Sequence, residues 1–235
     1  MTHKRQSSIL LFTIGVSAFG LFTVLTLATN PPITNENFFW RKPLIGLVFS
    51  IICILGIFAA FFPNQCSKAS YSQKKQKNFA HHTVSVTLRG HHVDCEKFFT
   101  HVIHISGHIH CAACTGLLLG AVISLTVTSL YFFGGWHIEE MSFPSAFIGV
   151  VGVALGFFQL KFKGFIRLML NAFFVLGTFL ILVGIDELAR SLFVDLFLIV
   201  LILFWLLTRI LLSQWDHWRI CYSCKSPCEV RELKK

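Results

Sequence analysis

Six apolar stretches, each close to twenty residues long, constrain this chain more than any other feature. A helix rises 1.5 Å per residue, so a hydrocarbon core of ~30 Å is crossed by about 20 residues. The stretches run Ile9 to Thr29, Pro43 to Phe62, Ala112 to Phe133, Pro144 to Leu160, Phe165 to Ile185 and Leu192 to Leu212. In lipid only backbone that satisfies its own hydrogen bonds persists, and long apolar runs without strand alternation choose helices over a barrel. Composition agrees, because 54% of the 235 residues are hydrophobic and only 13% are charged. A soluble domain carries about 25% charged residues. This balance excludes a soluble globular enzyme, a disordered chain and a disulfide-stapled secreted domain.

Proline and aromatic positions support the same division. Pro31, Pro32, Pro43, Pro63, Pro144 and Pro227 all lie at or outside the expected helix boundaries, where the ring costs little. Trp40, Tyr131, Trp136, Trp215 and Trp218 fall near the expected water interfaces as an aromatic belt. Lys4 and Arg5 precede the first apolar run as in a signal peptide. That run is too long for such a segment and no small-x-small cleavage site follows, so a retained membrane helix is expected.

Basic residues divide unevenly between the alternate connections. With the N-terminus inside, the inner segments hold 17 Lys and Arg, against Arg41, Lys42 and Arg190 outside. Short-loop Lys/Arg bias sets orientation, which predicts a multi-pass protein of the cell membrane with both termini cytoplasmic. The net charge of +9 then reflects topology and contact with anionic lipid rather than nucleic acid. The expected organisation is all-α: helices 1–2 over 1–63, a cytoplasmic Cys/His-rich loop over 64–111, helices 3–6 over 112–213, and a cytoplasmic Cys-rich tail over 214–235.

Seven of the eight cysteines fall in that loop, at its end (Cys114) or in the tail, in a reducing compartment where thiolates bind metal more often than they form structural disulfides. Cys53 is the exception, a small hydrophobe within the second apolar run. In the loop, Arg89-Gly-His-His-Val-Asp-Cys95 precedes His101-Val-Ile-His-Ile-Ser-Gly-His-Ile-His110, and then comes Cys111-Ala-Ala-Cys114. The middle segment alternates polar and apolar residues around Ser-Gly, which predicts a short hairpin. A C-x-x-C turn lets two sulfurs reach one tetrahedral ion, and a second pair of donors must come from elsewhere. The preferred set is His92, Cys95, Cys111 and Cys114, with His91 or His101 as replacements. In the tail, His217-Trp-Arg-Ile-Cys221-Tyr-Ser-Cys224-Lys-Ser-Pro-Cys228 offers one histidine and three cysteines. The two C-x-x-C pairs could also close a joint site of four thiolates. Zinc is the default ion for such donors, and the spacing gives an iron–sulfur cluster no specific support. Free or redox-active thiols are the alternative.

The Cys/His residues, Gly107, Cys111-Ala-Ala-Cys-Thr-Gly116 and Gly120 resemble an uncharacterised family of small prokaryotic multi-pass membrane proteins. Its signature is a Cys-His segment followed by C-A-x-C-T-G at the head of a membrane helix. The match covers about thirty residues, and Ala113 stands where the family often has Arg. The resemblance implies a membrane protein with a metal-binding motif and brings no activity.

Ionisable groups at membrane depth are functional candidates. Asp195, about one turn inside the sixth stretch, and the nearby Asp186 and Glu187 form a candidate transport or cation site on the outer side, with His137, Glu139 and Glu140. The plainer expectation is that Asp186 and Glu187 cap helix ends with Arg190 as partner. Gly116 and Gly120, like Gly152 and Gly156, predict close helix packing, and Asn171 and Gln159 predict helix–helix hydrogen bonds. No phosphate-binding loop, H-E-x-x-H, G-x-S-x-G or dinucleotide fingerprint occurs. Three functions remain: a non-enzymatic zinc-ordered platform, with the bilayer and a protein at the loop and tail as partners; a cation or small-solute transporter; and a membrane thiol oxidoreductase.

Overall fold

A computed structural model of the chain describes residues 3–32, 38–61, 101–105 and 108–223. Its helices are α1 (His3–Thr29), α2 (Arg41–Phe61), α3 (Ala112–Thr128), α4 (Ser142–Phe157), α5 (Gly164–Ala189) and α6 (Leu192–Ser223), with strands β1 (Val102–Ile105) and β2 (His108–Cys111) before α3. All six helices are long and apolar enough to cross a membrane once the short turns that extend α3 and α4 are included. They fit a multi-pass membrane protein. Phe12, Phe19, Phe22, Leu55, Phe193 and Val200 are exposed on their outer faces, a placement that suits lipid and would be costly in water.

Expected and observed boundaries agree where an apolar run and a breaker coincide. Pro43 and Pro144 each occupy the third residue of a helix, inside the first turn where no N–H is missed. The third span coincides with its expected limits, Ala112–Phe133, and closes in a wider turn over Ser129–Phe133. Two ends differ. The fifth span continues to Ala189 through Asp186 and Glu187. The sixth continues to Ser223, so residues 214–223, expected as the start of the tail, prolong the helix. Polar residues carry a helix past the hydrocarbon because its hydrogen bonds are internal.

α5 is the most enclosed span, with α3, α4 and α6 around it. Glycines set these approaches. A Cβ on Gly116 would lie 2.2 Å from the Leu168 carbonyl oxygen, and one on Gly120 would lie 2.7 Å from that of Ala172, so α3 rides directly on the α5 backbone. Gly149 and Gly177 make the equivalent contact between α4 and α5, the small-residue packing of membrane helices. Gly152 and Gly156 sit on the same seam as expected, and Cys53 is buried as expected.

α1 packs antiparallel on α6. Ser17 Oγ hydrogen-bonds Thr208 Oγ1 at 3.0 Å, and the buried Trp205 indole donates to the Ser17 carbonyl at 3.3 Å. α1 therefore begins, and α6 finishes, at the same end of the bundle. The β1–β2 hairpin and the head of α3 share that end, while Arg41, Tyr131 and the α5–α6 connection lie at the other.

Candidate functional site

The expected hairpin forms, with β1 and β2 antiparallel and Val102 opposite Cys111. Its second strand runs straight into α3, so Cys111 is the last extended residue (φ −71°, ψ 116°) and Cys114 lies in the first helical turn. Both are thiols, partly buried at the head of the third span. The Cys114 thiol donates to the Cys111 sulfur and pulls the Cys111 thiol down to about 6, against the upward push of burial. The amides of Cys114 and Ala113 and the charge of Arg167 act in the same direction.

Two helices, α5 and α6, bring charge to this dithiol. Arg167, near the start of α5, is 2% exposed; its Nη1 donates to His101 Nδ1 at 2.5 Å and its Nη2 to Asp216 Oδ2 at 3.4 Å. Asn171, one turn on, donates to the Arg167 carbonyl at 2.6 Å and accepts from Arg209 Nε of α6 at 3.0 Å and from Arg209 Nη2. Arg209 is itself buried and lies within electrostatic reach of both sulfurs. Among the described residues its side-chain hydrogen bonds go to an amide, and no carboxylate forms an ion pair with it. Two buried guanidinium groups thus face one buried carboxylate, Asp216. An unmatched buried charge is expensive, and a thiolate is the countercharge within reach.

Several expected ligands are placed differently. His101, a replacement ligand by sequence, is buried against Arg167, and its Nε2 lies 3.8 Å from Asp216 Oδ2. An arginine only donates, so Nδ1 is occupied as an acceptor. His217 and Cys221 fall on the last turns of α6 rather than in a separate tail. His91, His92, Cys95, Cys224 and Cys228 lie outside the described residues. Among the described residues no group of three His, Cys, Asp or Glu could hold a metal ion. Gln159, expected to bond between helices, is buried with neither side-chain atom partnered among the described residues.

At the opposite end Asp186, Glu187 and Asp195 do come together, across the two-residue link between α5 and α6. Their cations come from the start of α2. Arg41 Nη1 donates to Asp186 Oδ1 at 2.5 Å and also to Asp195 Oδ2, and Lys42 Nζ lies 3.1 Å from Glu187 Oε2. Tyr131 Oη lies 2.6 Å from both Asp186 Oδ2 and Glu187 Oε2. The helix-capping expectation does not hold, since both acids sit in the last turn of α5, the wrong end for an anion. Arg190 reaches Glu187 only at 3.6 Å and otherwise pairs with Glu139 at 2.9 Å. Tyr131, expected in the aromatic belt, is 1% exposed.

Six participants were missed as site residues: Arg41, Lys42, Tyr131, Arg167, Arg209 and Asp216. A guanidinium beside an apolar run reads as an interfacial charge in sequence. For Arg41 and Lys42 the available signal was the excess of acids at Asp186, Glu187 and Asp195 on the same expected side; around Arg167 no neighbouring cysteine in the sequence gives one.

No protein-family model matches the chain, and no curated protein or solved structure matches it.

Proposed function

We propose that this chain is a membrane thiol oxidoreductase, with Cys111 and Cys114 as its working dithiol at the cytoplasmic face of the cell membrane. The Lys/Arg bias supports that orientation, with both termini cytoplasmic. One observation carries the reading: a C-x-x-C pair at a helix start beside two buried arginines that outnumber their buried carboxylate. Arginine favours the thiolate, which is the attacking species in exchange.

The substrate class is a disulfide, on a protein or small molecule. The Cys111 thiolate attacks one of its sulfurs, the substrate S–S bond breaks, and the departing thiolate takes a proton from water. The Cys114 thiol then loses its proton to water and attacks the Cys111 sulfur of the mixed disulfide, expelling the second substrate thiolate. Two electrons pass to the substrate, which leaves as two thiols, and Cys111 and Cys114 are left as a disulfide.

A second reading is the zinc-ordered cytoplasmic platform. The observation that favours it is the hairpin, which places Cys111 and Cys114 directly after the segment that holds His92 and Cys95. One experiment separates the two. The purified full chain is equilibrated in glutathione buffers of graded potential and its Cys111 and Cys114 states are read by mass spectrometry, alongside elemental analysis. The oxidoreductase reading expects reversible interconversion of dithiol and disulfide in metal-free protein. Stoichiometric zinc that shields both thiols from alkylation until a chelator removes it would overturn that reading in favour of the platform.

A further inference from the structure

The end of the bundle remote from the dithiol holds a second anomaly. Asp195 is fully buried, and its Oδ1 has no hydrogen-bond partner among the described residues. Its other oxygen shares Arg41 Nη1 with the equally buried Asp186. Two anions on one guanidinium nitrogen, with a carboxylate oxygen left bare, ask for a further cation.

The charge count gives its size. From α2 come Arg41 and Lys42; from α5 come Asp186 and Glu187; and from α6 comes Asp195. The wide turn after α3 contributes Tyr131. At the rim stand His137, 63% exposed and 3.6 Å from Glu187 Oε1, Arg190, and Glu139 paired with Arg190. Arg41, Lys42 and Arg190 thus face four carboxylates, Asp186, Glu187, Asp195 and Glu139, so one positive charge is lacking. Hydrogen counting agrees: Tyr131 owns a single hydroxyl proton, yet its oxygen lies 2.6 Å from two carboxylate oxygens. Each contact that short needs a proton between its oxygens.

We propose that this network is a proton-binding site, holding one exchangeable proton on the Asp186–Asp195 pair, seated on Asp186 Oδ2. From there Asp186 donates to Tyr131, Tyr131 donates to Glu187, and Glu187 also accepts from Lys42. With that proton bound the Asp186–Asp195 pair carries a single negative charge against Arg41, and the network becomes neutral. Glu187, His137 and Arg190 connect the seat to the aqueous rim. The ligand is the proton itself, because a larger ion would have to displace Arg41 or Lys42 from their carboxylates. The inference does not depend on the dithiol chemistry.

Infrared spectroscopy of the full chain in lipid nanodiscs at neutral pH tests it. The expected result is a protonated-carboxyl carbonyl band that moves on transfer to D2O, disappears in both Asp186→Asn and Asp195→Asn, and shifts in Tyr131→Phe. Either amide substitution removes the missing charge, so each leaves the remaining aspartate ionised. Absence of the band from the native chain overturns the proposal and needs no variant. Persistence in either aspartate variant, an unshifted band in Tyr131→Phe, or sodium-dependent stabilisation of a native chain without the band also overturns it.

Discussion

The two ends of this bundle are built from the same two helices and carry opposite electrical problems. At the dithiol end α5 and α6 supply Arg167, Arg209 and Asp216, one cation too many. At the far end they supply Asp186, Glu187 and Asp195 against Arg41 and Lys42 from α2, one anion too many. The first excess can be met by losing a proton from sulfur and the second by gaining one on oxygen. Buried charge in a membrane helix is costly either way. A protein that keeps both excesses has placed titratable groups where the low dielectric makes each proton count.

The strongest test of this contrast removes one cation from each end. Arg41→Met strands Asp186 and Asp195 without their guanidinium and should cost about 3–5 kcal/mol, the usual penalty for orphaning a buried partner. Unfolding in mixed micelles reads the loss, and adding Asp195→Asn should recover most of it. Arg209→Gln should cost distinctly less in the same assay, because Cys111 can simply keep its proton. Equal losses would show that the thiols do not act as countercharge.

The next effect sharpens the dithiol side. With its thiol held down to about 6, Cys111 should react with a neutral alkylating reagent along a profile rising near that pH, where an ordinary cysteine titrates near ~8.5. Arg209→Gln should move the midpoint upward. The sign for stability follows: folding lowers the value, so the thiolate stabilises the fold above the ordinary thiol range. That contribution is lost as pH falls through about 6.

Two smaller effects probe whether the ends are separable. Gly116→Val wedges α3 away from α5 beside the dithiol and should cost about 1–3 kcal/mol, as overpacking does. It should disturb the alkylation profile and leave the carboxyl band unchanged. Ser17→Ala, which removes the hydroxyl partner of Thr208 between the two ends, should cost only about 0.6 kcal/mol and alter neither readout.

The spans were legible because their signal is long and redundant: apolar length, proline at the first turn, and glycine at the seams. The hairpin was legible from the alternation around Ser106-Gly107. The sites were half legible. Cys111, Cys114, Asp186, Glu187 and Asp195 stand out by residue type, but their partners do not. Arg41 and Lys42 are adjacent in sequence, yet one is enclosed and the other partly open. Only the rotation of α2 against α5 and α6 decides which. Tyr131 looks like any interfacial tyrosine until the wider turn over Ser129–Phe133 carries it inward. Such facts live in helix packing, which single-chain periodicity does not encode.

α6 has 32 residues, a rod of about 48 Å at 1.5 Å per residue. It outreaches the oily interior by several turns, and its overhang bears His217 and Cys221. Whatever grips that protruding handle gains leverage on the whole shaft, with Arg209 partway along and Asp195 at its foot. One unbroken helix thus joins the overhang to residues of both charged clusters.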